Sequence, residues 1–97
     1  MKIIFVVPSD KELDDGIEYY EDQIPGLGKV FYEEIMHLIG LIEMFPSSWT
    51  KVGKRTSKCL LKRFPHFILY ITEYKDLLIT AIGHQYRDPE YFAERIR

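Results

Sequence analysis

Only one cysteine, Cys59, occurs in these 97 residues. An internal disulfide is therefore excluded, and the chain suits a reducing, cytoplasmic setting. Long apolar runs are also missing. Nothing approaches the roughly 18 consecutive apolar residues of a membrane-spanning helix, so no membrane association is expected. The opening Met1-Lys2-Ile3-Ile4-Phe5-Val6-Val7-Pro8 has an apolar core of only five residues and no small-residue cleavage site. It reads as a strand, Ile3 to Val7, buried on both faces, rather than as a signal peptide. The three histidines and the cysteine have no close spacing between any two, which is no zinc signature; neither a metal nor a cofactor is expected. No glycine-rich phosphate loop follows a strand, because Gly26-Leu27-Gly28 lies between helices, where it serves as a turn. Repeats, low-complexity tracts and linkers are absent too. Residues 1–97 are therefore expected to form one domain with a single modest core.

Acidic residues are scarce in the second half of the chain. Residues 1–45 carry three Lys/Arg against ten Asp/Glu, a net of −7, whereas residues 46–97 carry ten against five, a net of +5. From Lys51 to Arg63 there are six basic residues and no acid. Such a run is either a solvated face or a patch for an acidic partner, and a carboxylate-rich protein segment would suit it as well as a phosphate backbone.

Aromatic and apolar residues make up what remains, and their spacing sets the elements. Ser9 is expected to start a helix, with Glu12 as its capping-box partner. Leu13, Ile17, Tyr20 and Ile24 then recur on one face, and Pro25 ends the run by pushing its predecessor out of the helical region. A second helix follows to about Phe45, with Leu27, Phe31, Ile35, Leu38, Ile42 and Phe45 as its buried stripe and Val30 and Ile39 alongside. The short link makes the two an antiparallel hairpin. Thr50 to Phe64 contains a further strand. Ile68–Tyr74 and Leu77–Gly83 form an antiparallel pair about a turn near Lys75-Asp76. Asp88-Pro89 opens a short last helix. The expected fold class is α+β, in the order β-α-α-β-β-β-α, with the hairpin packed on a mainly antiparallel sheet.

Several of these segments also carry a resemblance. Tyr19-Tyr20-Glu21-Asp22-Gln23-Ile24-Pro25-Gly26-Leu27-Gly28 with Phe31, the Leu61-Lys62-Arg63-Phe64-Pro65 stretch, and the closing His84-x-x-Arg87-x-Pro89-x-Tyr91-Phe92 are similar to the RelE/ParE superfamily of toxins. They occur in that family's order and span nearly the whole chain. The resemblance is closer to ParE than to RelE through Pro-Gly-Leu-Gly and Lys-Arg-Phe-Pro. It implies the toxin of a type II toxin–antitoxin (plasmid stabilisation) system, neutralised by a cognate antitoxin protein whose C-terminal segment wraps the toxin. For the ParE-like branch it implies DNA gyrase as target, poisoned by binding. For the RelE branch it implies cleavage of messenger RNA on the ribosome, and a relative that binds antitoxin without toxicity is a third reading.

Metal-independent RNA cleavage needs a base for the 2′-hydroxyl, an acid for the leaving oxygen and cations around the phosphate. RelE-like ribonucleases supply them from lysines, arginines and a tyrosine on the open sheet face. By that resemblance Lys58 matches the first basic strand position. Leu60, Phe67 and Gln85 stand where further cations are expected, so most of the set is missing. The candidates for a ribonuclease are Lys58, Arg63, His84, Arg87 and Tyr91. For partner binding they are Lys58, Lys62, Arg63, His84, Arg87 and Tyr91. A recognition surface needs no acid and no base, and the non-enzymatic reading is the preferred one.

Some residues admit two readings on their own chemistry. Arg63, taken to lie on a strand, either offers its fork to a partner's carboxylates or pairs with a glutamate of its own helices. His84, at a strand end, either contacts a partner or donates to a backbone carbonyl. His37 reads as structural or exposed, and Glu33 and Glu34 as solvated surface. Trp49 and Phe45 flank Pro46 and are expected to close the bottom of the core, with an exposed aromatic anchor as the alternative.

Overall fold

The computed structural model describes residues 1–96. Strand β1 (Lys2–Phe5) leads into α1 (Ser9–Gln23) and α2 (Leu27–Met44). Strands β2 (Thr50–Lys51), β3 (Ser57–Leu60), β4 (His66–Glu73) and β5 (Asp76–His84) follow, and a 3₁₀ helix (Pro89–Arg95) closes the chain. The sheet runs β1-β5-β4-β3-β2, with β1 parallel to β5 and the other pairs antiparallel. The expected α+β fold is present. The Thr50–Phe64 region, however, holds two short strands rather than one, and the last helix is 3₁₀.

The hairpin forms where proline and glycine place it. Ile24 is extended before Pro25, and Gly26 takes a φ of 92°, open to glycine at no steric cost. Glu21 then accepts from the Gly26 and Gly28 amides at 2.9 and 3.1 Å, capping α2 with a carboxylate at its positive end. The helices approach closely at two glycines. A Cβ on Gly16 would sit 2.7 Å from the Phe31 ring, and one on Gly28 would sit 2.5 Å from the Ile17 carbonyl.

Two cores flank the sheet. Under the hairpin, Leu13, Tyr20, Phe31, Ile35, Ile39 and Ile42 pack on Cys59, Ile68, Tyr70, Leu77, Ile79 and Ile82. On the other face Phe67, Leu69 and Ala81 are covered by Phe92, with Ile96 beside them. A β-bulge separates the two halves of β5: Leu69 pairs with Ala81 and Tyr70 with Ile79, which leaves Thr80 extra. The bulge shifts the alternation of β5 by one residue, so Ile79 and Ile82 face the same core.

Four expectations fail at the ends of elements. β1 is an edge strand of half-buried residues ending at Phe5, because only one neighbour, β5, covers it, and Val6 and Val7 are exposed. Ser9 is no capping-box residue: its hydroxyl is buried and donates to the Ile79 carbonyl at 2.8 Å. The carboxylate of Glu12, within α1, instead reaches the sheet and accepts from the Ile82 amide. Ile24 and Phe45 are exposed because each lies just past its helix, where the stripe no longer faces the core. Trp49 does pack against the main core.

Candidate functional site

The open sheet face, the end of β5 and the turn after β3 gather the candidates, and they fall into two groups. Lys58, on β3, places its ammonium 4.4 Å from the centroid of the Phe67 ring. Together with Gln85 and Arg87 it lines a small cleft of about 120 Å³ beside Phe92. Arg87 also stacks on Tyr91 at 3.8 Å and shares with His84 and Tyr19 a larger cleft of about 370 Å³ between α1 and the chain end. The 3₁₀ helix positions these groups. Asp88 accepts from the Glu90 amide at 3.0 Å, Pro89 sits in the first turn, and the Arg87 amide donates to the His84 carbonyl at 3.1 Å.

Lys62 and Arg63 form the second group, elsewhere. They occupy the bend between β3 and β4, not a strand, because the chain must turn from one antiparallel strand to the next within Leu61–Pro65. Glu34 of α2 holds that bend: its carboxylate accepts from the Lys62 amide at 2.6 Å, the Arg63 amide at 3.4 Å and Arg63 Nε at 3.4 Å. Glu34 is only 9% exposed, so it is not solvated surface but the anchor of this turn. Of the two readings of Arg63, pairing with its own helix is observed, while its side chain remains two-thirds exposed. With Glu33, His37, Leu38 and Leu41, Lys62 and Arg63 line a groove of about 330 Å³ along α2.

The histidines differ in chemistry. His84 Nδ1 accepts from the Tyr86 amide at 3.1 Å, which places the proton of the neutral ring on Nε2. Its ring lies 4.8 Å from that of His66, its partner in the β4–β5 ladder. His66 is buried, shares a 3.3 Å hydrogen bond with the Tyr20 hydroxyl, and sits against the rings of Phe31 and Tyr20. Burial, reinforced by His84, lowers its pKa to about 4, so it is neutral at pH 7. Burial raises the Tyr20 hydroxyl above its ordinary value and keeps it protonated.

The three positions where ribonucleases of this resemblance carry cations hold uncharged side chains. Phe67 is buried against Phe92 at 5.1 Å between centroids, and Leu60 is half exposed. Gln85 lines the small cleft, and its backbone N–H donates to the Pro65 carbonyl at 2.8 Å. Sequence reasoning passed over Thr80 and Arg95 and read Glu12 only as a capping-box partner of Ser9. Glu12 Oε1 accepts from the Ile82 amide at 3.0 Å and from Arg95 Nη1 at 2.9 Å, and Arg95 also donates to the Thr80 carbonyl at 3.2 Å. These contacts join residues some 70 and 83 positions apart, a separation that local spacing does not reveal.

A helical hairpin on one face of a five-stranded mixed sheet, with a short C-terminal helix on the other, is a ParE-like fold. A chain of the chromosomal ParDE toxin–antitoxin system from P. aeruginosa is similar to this one, with a TM-score of 0.74 over 87% of this chain and 95% of that chain, at 15% identity. The sequence matches no family model and no curated protein. No helix among the described residues is long and apolar enough to cross a membrane.

Proposed function

We propose that this protein is the toxin of a type II toxin–antitoxin pair, of the plasmid-stabilisation kind, acting in the cytoplasm. In this reading it arrests growth by binding a cellular target, DNA gyrase, and a cognate antitoxin neutralises it. The observation that carries the reading is the ParE-like fold over 87% of the chain, combined with an open face whose cation positions hold Leu60, Phe67 and Gln85. A binding toxin needs a recognition surface. The surface offered is Lys58, His84, Arg87 and Tyr91 on the sheet side and Lys62 with Arg63 over α2. Antitoxin carboxylates would meet the second group first, since both side chains are exposed beside an apolar groove.

One observation favours a ribonuclease instead: His84, Arg87 and Tyr91 do meet in one cleft. The two readings separate in a gyrase supercoiling assay run beside ribosome-primed messenger-RNA cleavage. Inhibited supercoiling with intact transcripts is expected. Losing a single transition-state donor costs about 10²–10³ in rate, and three are replaced here. Codon-positioned cuts that disappear in Arg87→Ala would overturn the non-enzymatic reading.

A further inference from the structure

A fourth cavity lies beside the end of the 3₁₀ helix, apart from the clefts described above. It has a volume of about 400 Å³ and runs from the end of β1, across Thr80 and Ile71, to the β2–β3 turn. Its apolar floor comes from Val6, Val7 and Ile71, and its cations are Lys54, Arg55 and Arg95, against the single acid Glu94.

The cations are not all spent. Arg55 pairs with Glu73 at 3.1 Å and Arg95 with Glu12 at 2.9 Å, but the Lys54 ammonium has no acidic partner among the described residues. The bulge residue Thr80 supplies an independent observation. It is 9% exposed, lines the cavity, and its Oγ1 is buried with no hydrogen-bond partner among the described residues. An orphaned buried hydroxyl costs free energy unless something in the cavity bonds to it.

We infer that this cavity binds an acidic side chain of an extended partner segment, with a neighbouring aliphatic residue seated on Val6, Val7 and Ile71. The oxyanion follows from an ammonium with no acidic partner among the described residues, the further donors of two guanidinium groups and the Thr80 hydroxyl. The aliphatic neighbour follows from the floor. A running chain, rather than an enclosed small molecule, follows from Val7, which is 79% exposed and leaves the cavity open along β1. The inference rests on the toxin reading only for naming the segment as the antitoxin's.

The test is an amide NMR titration of the full chain with the peptide acetyl-Val-Glu-Leu-Glu-Val-amide. Its glutamine counterpart and isovalerate serve as comparison ligands. Shifts at Val7, Arg55, Ile71, Thr80 and Arg95 are expected with the glutamate peptide alone. Lys54→Gln should weaken binding about threefold to fivefold, the worth of an exposed charge pair. Thr80→Val, which keeps the shape and so the fold, should weaken it about tenfold. Equal binding of the glutamine peptide, equal shifts with isovalerate, shifts confined to other surfaces, or unchanged affinity in both variants would each overturn the inference. None of these readouts depends on toxicity, so growth arrest and this site fail separately.

Discussion

At the residue scale the decisive groups are polar side chains buried for a reason. His66 is neutral in the folded chain because burial holds its pKa near 4, against about 6.5 when unfolded. A base whose folded pKa is lowered leaves stability intact above the unfolded value and loses it as pH falls from about 6.5 toward 4. Urea unfolding at pH 7.5 and pH 4.5 should therefore differ by about 2 kcal/mol from this residue. His66→Phe should flatten that slope, and an unchanged slope would show that His66 is not its source. Glu34 offers a second check. Glu34→Ala leaves the Lys62 amide without its acceptor and should cost about 1–3 kcal/mol, measured by denaturant unfolding.

His84 at the strand end and Asp88-Pro89 opening the last helix were legible from spacing and turn chemistry. Glu34 was not. An acid beside another acid on an amphipathic helix looks solvated, and only the return of the chain at Leu61–Pro65 gives it two amides to hold. Arg63 was readable as an ion-pair former, but the choice between its own glutamate and a partner's needed the same turn.

At the element scale, the hairpin carries the main core and the bulge in β5 fastens the rest. Ile35 is fully buried beneath the hairpin, so Ile35→Ala should cost about 2–5 kcal/mol by denaturant unfolding. A loss below 1 kcal/mol would contradict the packing described. The bulge makes a more specific prediction. Glu12→Gln keeps a carbonyl for the Ile82 amide but removes the charge facing Arg95, whose side chain is only 18% exposed. The 3₁₀ helix should then loosen first, read as faster amide exchange at Phe92 and Ile96 with β4 still protected. Periodicity placed both helices and the β4–β5 pair to within a few residues, because proline, glycine and a tight turn bound them. It missed β2, two residues long, and the bulge, since one inserted residue leaves an apolar run unchanged in composition.

At the scale of the whole molecule, the acidic first half and basic second half of the chain are not two separate surfaces. Glu34 meets Arg63, and Glu12 meets Arg95, across the two halves. Lys54, Lys58 and Arg87 remain without an ion-pair partner among the described residues on the sheet side, as does Lys62 over α2. Exposed charges act over about 8 Å at physiological ionic strength, so a complex with an acidic antitoxin should weaken as salt rises. Affinity independent of salt, measured by calorimetry, would mean that apolar contact along α2 alone holds the partner.

The central claim, that this ParE-like chain is a toxin, is tested most directly by inducing its expression in bacteria and counting colonies over time. The account predicts growth arrest with a DNA-damage response and intact transcripts. Arrest should vanish when the fold is broken by Ile35→Ala combined with Leu38→Ala, both core residues of α2. Unimpaired growth at a soluble, folded expression level would contradict it.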